Sequence, residues 1–234
     1  PHVSWIVVER TAPQHTTSQS IPAKRTHGEC VVAFSVVTRC QPPSKRLLLC
    51  LLKQSAVFVC ADGGANTAVR LGLKPDLIIG DLDSIASETL RKFRSVQTRR
   101  IADQNSTDLE KALSWGTRKG YADIVVAGAT GRRLDHSLGN LSALVKFSRK
   151  AKIRFVDDAS VLCFVGSECE FEALPGTVVS LIPLSLCEGI VTRGLKWELK
   201  NESLRLGFRE STSNMVKSSP VSIRVRRGDL RDSV

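Results

Sequence analysis

The chain has 234 residues, of which 42% are hydrophobic and 24% are charged, as is usual for a folded globular protein. No apolar run reaches the roughly eighteen residues that a membrane-spanning helix needs, so the sequence predicts no such helix and no membrane partner. The net charge of +11 favours polyanionic ligands, among which nucleotide phosphates and nucleic acids both qualify.

Few aromatic residues lie near the arginine clusters, so we do not expect a stacking surface for single-stranded nucleic acid. The seven cysteines include no C-x-x-C pair, which favours reduced thiols and a cytoplasmic location. Residues 1–29 are expected to be a disordered tail or the product of an incorrect gene prediction. The alternative that this segment is the remnant of an organellar import peptide stays open.

Residues 30–158 are expected to form one α/β domain. A first strand is expected within Cys30–Val37, and Leu47–Leu52 can begin a helix. Strands and helices then alternate: the predicted strands are Val57–Cys60, Leu77–Ile79, Ile124–Val126 and Ile153–Val156, and the predicted helices begin near Ala65, at Ser84 or Ser87, after Thr107 and after Asp135. This alternation predicts a Rossmann-like, mostly parallel sheet flanked by helices.

Residues 159–234 are expected to form a second domain of a different kind. Short strand-like runs such as Val161–Val165, Val178–Ile182 and Val221–Val225 are separated by turn residues, including Pro175-Gly176. Short strands at this spacing are typical of a β-sandwich or a barrel. The sequence therefore predicts an α/β domain followed by a C-terminal β-sandwich.

Two acids, Asp81 and Asp83, come directly after the predicted strand Leu77–Ile79. Ligands of open α/β sheets bind beyond the carboxyl ends of the strands. Two carboxylates that converge there repel each other unless a cation joins them, and Mg²⁺ prefers such hard oxygen ligands. The alternative is that Asp83 or Ser84 only caps the following helix, and it stays open at this point.

Other polar groups are expected at the same edge of the sheet. Asp62 follows the first strand of the series, Asp108 begins the third helix, and Asp135 follows a glycine loop; each could also serve only as a helix N-terminal acid. The Gly63-Gly64 and Gly128–Gly131 loops are small enough for backbone N–H groups to approach phosphates. Arg132 and Arg133 follow at once and can hold phosphate oxygens.

Six ordered motifs then resemble the thiamine diphosphokinase (thiamin pyrophosphokinase) family. They are Ala61–Asn66, Pro75–Ile85, Asp103–Asp108, Gly128–His136, Gly194–Leu199 and Ser211–Asn214. Their order and spacing are similar to those of the family over roughly residues 56–225. Together they are far more specific than any one of them alone.

The resemblance implies an enzyme that uses ATP and Mg²⁺ to convert thiamine into thiamine diphosphate, with AMP as the second product. It implies a homodimer whose active sites are shared between subunits. The implied catalytic residues are Asp81, Asp83, Asp108 and Asp135, of which Asp81, Asp83 and Asp108 would hold the metal. Asp62, Gly63, Gly64, Gln104, Thr107 and Arg133 would contact the nucleotide, and Trp197, Ser213 and Asn214 would line the thiamine site.

Two chemical details accompany this assignment. Asp135 is the group expected to act as a base toward the substrate hydroxyl. Trp197 suits a cationic thiazolium ring, although without the resemblance it would be interpreted as a core aromatic of the sandwich. Arg132 stands where the family usually has glycine.

Three alternatives remain at the level of sequence. One is a diphosphokinase for another hydroxymethyl heterocycle, such as a pterin. Another is a catalytically impaired nucleotide-binding homologue. The third, a nucleic-acid-binding module, depends on the net charge alone.

Overall fold

The computed structural model describes residues 4–9, 33–38 and 40–228. The chain divides into two compact units between Asp158 and Ala159. We call Cys30–Asp158 the α/β unit, and we call the chain from Ala159 onward, together with strand Ser4–Glu9, the β unit. Within the described residues, no helix has both the length and the hydropathy needed to cross a membrane.

Strand β1 (Ser4–Glu9) lies in the segment that we expected to be a tail. It pairs antiparallel with Ser160–Val165 on one side and with Val178–Pro183 on the other. The expectation of a disordered tail is therefore wrong for these residues, and the rest of that segment lies outside the described residues. The apolar run Trp5–Val8 has strand propensity, but its partners begin only at Ser160, so local sequence does not reveal the pairing.

The sheet of the α/β unit has six strands within the described residues, all parallel, in the spatial order β7-β6-β2-β3-β4-β5. The strands are β2 (Ala33–Val37), β3 (Ser55–Ala61), β4 (Leu77–Gly80), β5 (Gln97–Arg100), β6 (Asp123–Ala127) and β7 (Lys152–Val156). Strands β4 and β6 are buried along their whole length, as expected for central strands of a parallel sheet. The predicted mostly parallel sheet is confirmed.

Five helices alternate with these strands in the described part of the chain: α1 (Lys45–Leu52), α2 (Gly64–Leu71), α3 (Ser87–Lys92), α4 (Asp108–Arg118) and α5 (Leu134–Phe147). The predicted capping box of α4 is present, because the Thr107 hydroxyl accepts from the Glu110 N–H and the Glu110 carboxylate accepts from the Thr107 N–H. The serine caps proposed for α3 are wrong, since its N-cap is Ala86 and no side chain caps it.

Among its described residues, the β unit contains two antiparallel sheets, in the orders β13-β10-β1-β8 and β12-β11-β14-β9, with β15 beside β11. The strands are β8 (Ser160–Val165), β9 (Glu168–Phe171), β10 (Val178–Pro183), β11 (Cys187–Arg193), β12 (Lys200–Leu204), β13 (Ser211–Met215), β14 (Val221–Arg224) and β15 (Arg227–Gly228). Buried residues of both sheets, such as Leu181 and Ile223, share one core. This arrangement confirms the predicted β-sandwich.

Candidate active site

Three acids meet at the carboxyl ends of two neighbouring strands of the α/β unit. Asp62 follows β3, Asp81 follows β4, and Asp108 is the first residue of α4. Each offers a carboxylate oxygen, and these oxygens all lie within 4.8 Å of one another. Strands β3 and β4 are parallel and adjacent, so their ends are brought to the same edge of the sheet.

Gly80 makes this approach possible. A Cβ atom at position 80 would lie 2.8 Å from the Asp62 Cβ and 3.1 Å from an Asp108 carboxylate oxygen. Both distances are shorter than ordinary van der Waals contact, so any side chain here would push the acids apart. Gly64 has a comparable role on the other side of β3, because a Cβ there would lie 2.0 Å from the Val37 carbonyl oxygen.

Asp62 is the most unusual of the three acids. The residue is 2% exposed, and neither carboxylate oxygen accepts a hydrogen bond of good geometry from the described residues. Burial raises the pKa of Asp62, and the nearby charges of Asp108 and Asp81 act in the same direction, whereas the neighbouring Gly63 N–H and Ser84 hydroxyl act against this rise. Its φ of 41° is a conformation that non-glycine residues rarely adopt and that recurs at functional sites. A buried carboxylate without a partner is suited to bind a cation.

Asp81 and Asp108 differ from Asp62 because a lysine contacts both. The Lys111 Nζ lies 3.5 Å from Asp81 Oδ2 and 3.1 Å from Asp108 Oδ1. Burial opposes ionisation of Asp81, but the hydrogen bond from the Asp83 N–H and the Lys111 charge hold its pKa below the usual range. Lys111 lies one helical turn after Asp108. The Asp-x-x-Lys spacing at the start of α4 is the sequence signal that would have identified it.

The loop that carries Asp81 is held by a side chain of α2. Asn66 Nδ2 donates to the Ser84 carbonyl at 2.8 Å, and the Asn66 Oδ1 accepts from the Ala86 N–H at 3.0 Å. Leu82, between the two acids of this loop, has a φ of 72°, which is an outlier for a bulky residue. Asn66 is therefore a second functional residue that was not singled out from the sequence.

Asp83 lies outside the group of three converging acids. Its side chain is exposed, and its Oδ1 accepts a hydrogen bond from the Ser84 hydroxyl at 2.9 Å. Its backbone N–H donates to Asp81, which helps to orient that carboxylate. The assignment of Asp83 as a metal ligand stays a prediction.

A cavity of about 310 Å³ opens beside the three acids. Its lining includes the three acids and the predicted residues Gly63, Thr107 and Asp135; Thr38, Lys111 and Asn140 also line it. The predicted residues Asp83, Gly64, Gln104 and Arg133 are not among the described residues that line it. The volume is at the lower end of the range for small-molecule sites, so it suits part of a nucleotide.

Arg133 and Asp135 form an exposed pair at the start of α5. The Arg133 Nε donates to Asp135 Oδ1 at 3.1 Å, and its Nη2 donates to Oδ2. The hydrogen bonds from Arg133 lower the pKa of Asp135 to about 2. A carboxylate with so low a pKa is a weak general base for as long as this pairing lasts.

Replacing Arg133 with glutamine is expected to raise the pKa of Asp135 from about 2 toward the ordinary aspartate value of about 3.9, because the bidentate partner is lost. Carboxyl-carbon NMR titration of the ligand-free protein measures this change. Arg132→Gln, at the neighbouring exposed arginine, is the control and should leave the titration of Asp135 unaltered. An unchanged midpoint in Arg133→Gln would show that the pair does not form in solution.

In the β unit, Trp197 is not a core aromatic, because it is 55% exposed. The Lys196 ammonium lies 4.5 Å from the centre of the Trp197 ring. This face of the ring therefore already binds a cation in the ligand-free protein. The interpretation of Trp197 as part of the sandwich core is excluded.

Asn214 has its side-chain amide engaged by the backbone of Trp197. The Trp197 N–H donates to Asn214 Oδ1 at 3.1 Å, and Asn214 Nδ2 donates to the Trp197 carbonyl at 2.6 Å. Asn214 is 3% exposed, whereas Ser213 is exposed and has a φ of 56°. Of the three residues expected at the thiamine site, Trp197 and Ser213 are exposed. Asn214 is buried and is hydrogen-bonded to the backbone of Trp197.

Comparisons with known proteins agree with this arrangement. The family model for the thiamin pyrophosphokinase catalytic domain matches residues 48–156, and the model for the family's vitamin B1 binding domain matches residues 168–230. Thiamine pyrophosphokinase 1 of Oryza sativa subsp. japonica is 33% identical over 202 residues, covering 74% of this chain and 76% of that protein. Thiamine pyrophosphokinase 1 of Arabidopsis thaliana is 29% identical over 238 residues, covering 89% and 88%.

Solved structures give the same result at the level of the fold. The crystal structure of thiamine pyrophosphokinase from Bacillus subtilis superimposes with a TM-score of 0.74 and 25% identity, covering 84% of this chain and 95% of that one. The structure of the yeast enzyme superimposes with a TM-score of 0.68, and its 16% identity supports the fold alone. The two family models together match well over half of the chain. The chain therefore belongs to the thiamin pyrophosphokinase family.

Proposed function

We propose that this protein is a thiamine diphosphokinase, which transfers the diphosphate group of ATP to the hydroxyl of thiamine and releases AMP. The observation that carries the proposal is the convergence of Asp62, Asp81 and Asp108 beside a cavity, with the Asp62 oxygens buried and without a well-aligned hydrogen bond from the described residues. Burial and mutual repulsion of these carboxylates destabilise the folded protein, and a cation that joins them to phosphates would remove this destabilisation. Membership of the family supplies the reaction.

We propose that Asp62, Asp81 and Asp108 hold Mg²⁺, with Asp83 available if it releases the Ser84 hydroxyl. The donor set fits, because carboxylate oxygens are the ligands that Mg²⁺ prefers. A bound Mg²⁺ would neutralise charge on the phosphate oxygens of ATP. The Asn66 hydrogen bonds hold the loop after β4, and so help to orient its two acids, Asp81 and Asp83, in the absence of a ligand.

For the nucleotide, we propose that Gly63 and Thr107 contact ATP from the cavity wall, and that Gln104 and Arg133 approach from outside it. Gly64 serves packing against β2, because any side chain there would collide with Val37. When Arg133 turns to phosphate oxygens, Asp135 loses the partner that lowers its pKa. Asp135 then becomes a stronger base toward the thiamine hydroxyl.

We propose that thiamine binds at the β unit with its cationic ring on Trp197, where Lys196 now provides the cation. Ser213 is exposed, immediately precedes Asn214 in β13 and is proposed to contact the substrate directly. Asn214 is proposed to act through Trp197, because its amide is already occupied by the Trp197 backbone.

We further propose that the chain acts in the cytoplasm as a homodimer whose active sites are shared between subunits. Mixing the Asp81→Asn and Trp197→Ala variants should then restore activity at a thiamine concentration well below the raised KM of Trp197→Ala, where each variant alone has little turnover. Random pairing makes about half of the dimers mixed, each with one intact site of two, so recovery of about a quarter of normal activity is expected. Light scattering must show dimers, and each variant alone is the control. No recovery in verified mixed dimers would contradict sharing.

The alternatives are less well supported. The relatives found are thiamine pyrophosphokinases, which does not favour a pterin substrate, and the three converging acids do not favour an impaired homologue. Incubation with Mg²⁺, ATP and thiamine should yield AMP and thiamine diphosphate in equal amounts. AMP production with a hydroxymethylpterin but not with thiamine would overturn the proposal, as would ATP binding without turnover.

A further inference from the structure

Lys111 is a buried cation inside an acidic cluster. Its side chain is 3% exposed, and its Nζ lies within 3.5 Å of Asp81 and Asp108 at once. Lysine is almost never fully buried unless it is paired. In the described part of the chain, no other cation forms an ion pair with Asp62, Asp81 or Asp108.

The charges around Lys111 explain why it is there. Three carboxylates whose oxygens lie within 4.8 Å of one another repel strongly when ionised. Lys111 offsets one of these negative charges, but among the described residues its ion pairs are with Asp81 and Asp108, and none joins it to Asp62. The lysine therefore contacts two of the acids, shares its single charge between them and leaves the third for a ligand.

We propose that Lys111 is the internal counterion of this cluster. Without a divalent cation, its ammonium keeps Asp81 and Asp108 together; with one bound, it shares these two carboxylates with the metal. This inference rests on the proposed metal site. It implies that Lys111 stabilises the empty enzyme and weakens cation binding, so that metal binds and leaves readily with the nucleotide.

The opposite role for Lys111 makes the opposite prediction. If the lysine acted mainly to orient the carboxylates for the metal, its removal would weaken cation binding. If it acts as a competing positive charge, its removal strengthens cation binding and destabilises the empty protein, because breaking a buried ion pair leaves uncompensated charge. The sign of the change in cation affinity therefore decides between the two roles.

The experiment uses the full chain and Mn²⁺ alone, without ATP. Lys111→Met keeps a long unbranched side chain and removes the charge, and the control is Lys146→Met, which removes an exposed lysine paired with Glu110 at 2.8 Å. Isothermal titration calorimetry should show about tenfold tighter Mn²⁺ binding in Lys111→Met. Its melting temperature without metal should fall by about 5 °C or more and be restored by Mn²⁺. The control should bind Mn²⁺ within about twofold of the unaltered protein.

Lys111→Arg retains the charge and keeps the test decisive if Lys111→Met does not fold without metal. It should be stable in the absence of metal and bind Mn²⁺ close to normally. Weaker or unchanged Mn²⁺ binding in Lys111→Met would overturn the counterion role. If the unaltered protein binds no Mn²⁺, the proposed metal site is wrong, whatever the role of Lys111. In that case, a melting temperature of Lys111→Met that equals that of the unaltered protein without metal would overturn the counterion role as well.

Discussion

Asp62→Asn is expected to raise the melting temperature of the ligand-free protein while lowering kcat by about a thousandfold or more. The side chain is buried, its carboxylate oxygens lack hydrogen-bond partners among the described residues, and two further carboxylates lie beside it. A neutral amide removes this repulsion and can donate to the neighbouring acids. A gain of about 1 kcal/mol corresponds to about 2–4 °C for a chain of this size.

The loss of kcat has a separate cause. An amide is a weaker ligand for Mg²⁺ than a carboxylate, so the phosphate charge is less well neutralised in the transition state. A thousandfold loss corresponds to about 4 kcal/mol of transition-state stabilisation. Differential scanning calorimetry without metal or nucleotide and steady-state AMP formation measure the two effects independently.

Asp81→Asn provides the matched comparison. Asp81 is ion-paired with Lys111 and accepts a hydrogen bond from the Asp83 N–H, so its negative charge stabilises the folded protein. This variant should also lose turnover, but its melting temperature should fall rather than rise. Equal shifts of the same sign in the two variants would contradict the view that Asp62 is uncompensated and Asp81 is not. Near-normal turnover in either variant would remove that residue from the metal site.

Much of the α/β unit was predictable because its signals are local. A buried apolar run such as Leu77–Ile79 identifies a strand, and Thr107 with Glu110 identifies the start of α4. Since parallel strands end at a common edge, the acids after β3 and β4 could be expected to meet. Strand β5 was missed because its four residues, Gln97–Arg100, are polar and exposed.

The missed parts depend on contacts between distant residues. Strand β13 reads Ser-Thr-Ser-Asn-Met and pairs with β10, although only Thr212 among its residues favours a strand. The roles of Lys111 and Asn66 depend on which side chains face them. The choice of Asp62 over Asp83 as the third converging acid depends on how the loop after β4 turns through Leu82. Apart from the Asp-x-x-Lys spacing that places Lys111 beside Asp108, one-dimensional spacing does not contain this information.

The two proposed ligand sites share one feature, namely that a lysine provides a positive charge before the ligand arrives. Lys111 contacts two acids of the proposed metal site, and Lys196 covers the Trp197 ring at the proposed thiamine site. In each case the ligand that we propose is also a cation. A lysine therefore meets part of the electrostatic requirement of each empty site, and each ligand must compete with, or share, the contacts of that lysine.

Trp197→Ala is expected to raise the KM for thiamine by about 30-fold while leaving the KM for ATP within about twofold. A desolvated contact between a cation and an indole ring contributes about 2 kcal/mol, which corresponds to this factor. Asn214→Ala should raise the thiamine KM by about tenfold, because the amide that fixes the Trp197 backbone is lost. It should also lower the melting temperature, since two partly buried backbone groups of Trp197 lose their partners. Thr212→Ala, at an exposed position of the same strand, is the control and should change neither constant.

The double variant decides whether Asn214 acts through Trp197 or contacts thiamine itself. If Asn214 only positions the ring, removing it has no further effect on the thiamine KM once Trp197 is alanine, so the double variant should match Trp197→Ala. If Asn214 contacts thiamine directly, the two increases multiply. Steady-state kinetics at saturating ATP measure the cycle. Because the Asn214 amide has hydrogen bonds to both the N–H and the carbonyl of Trp197, we expect the first result.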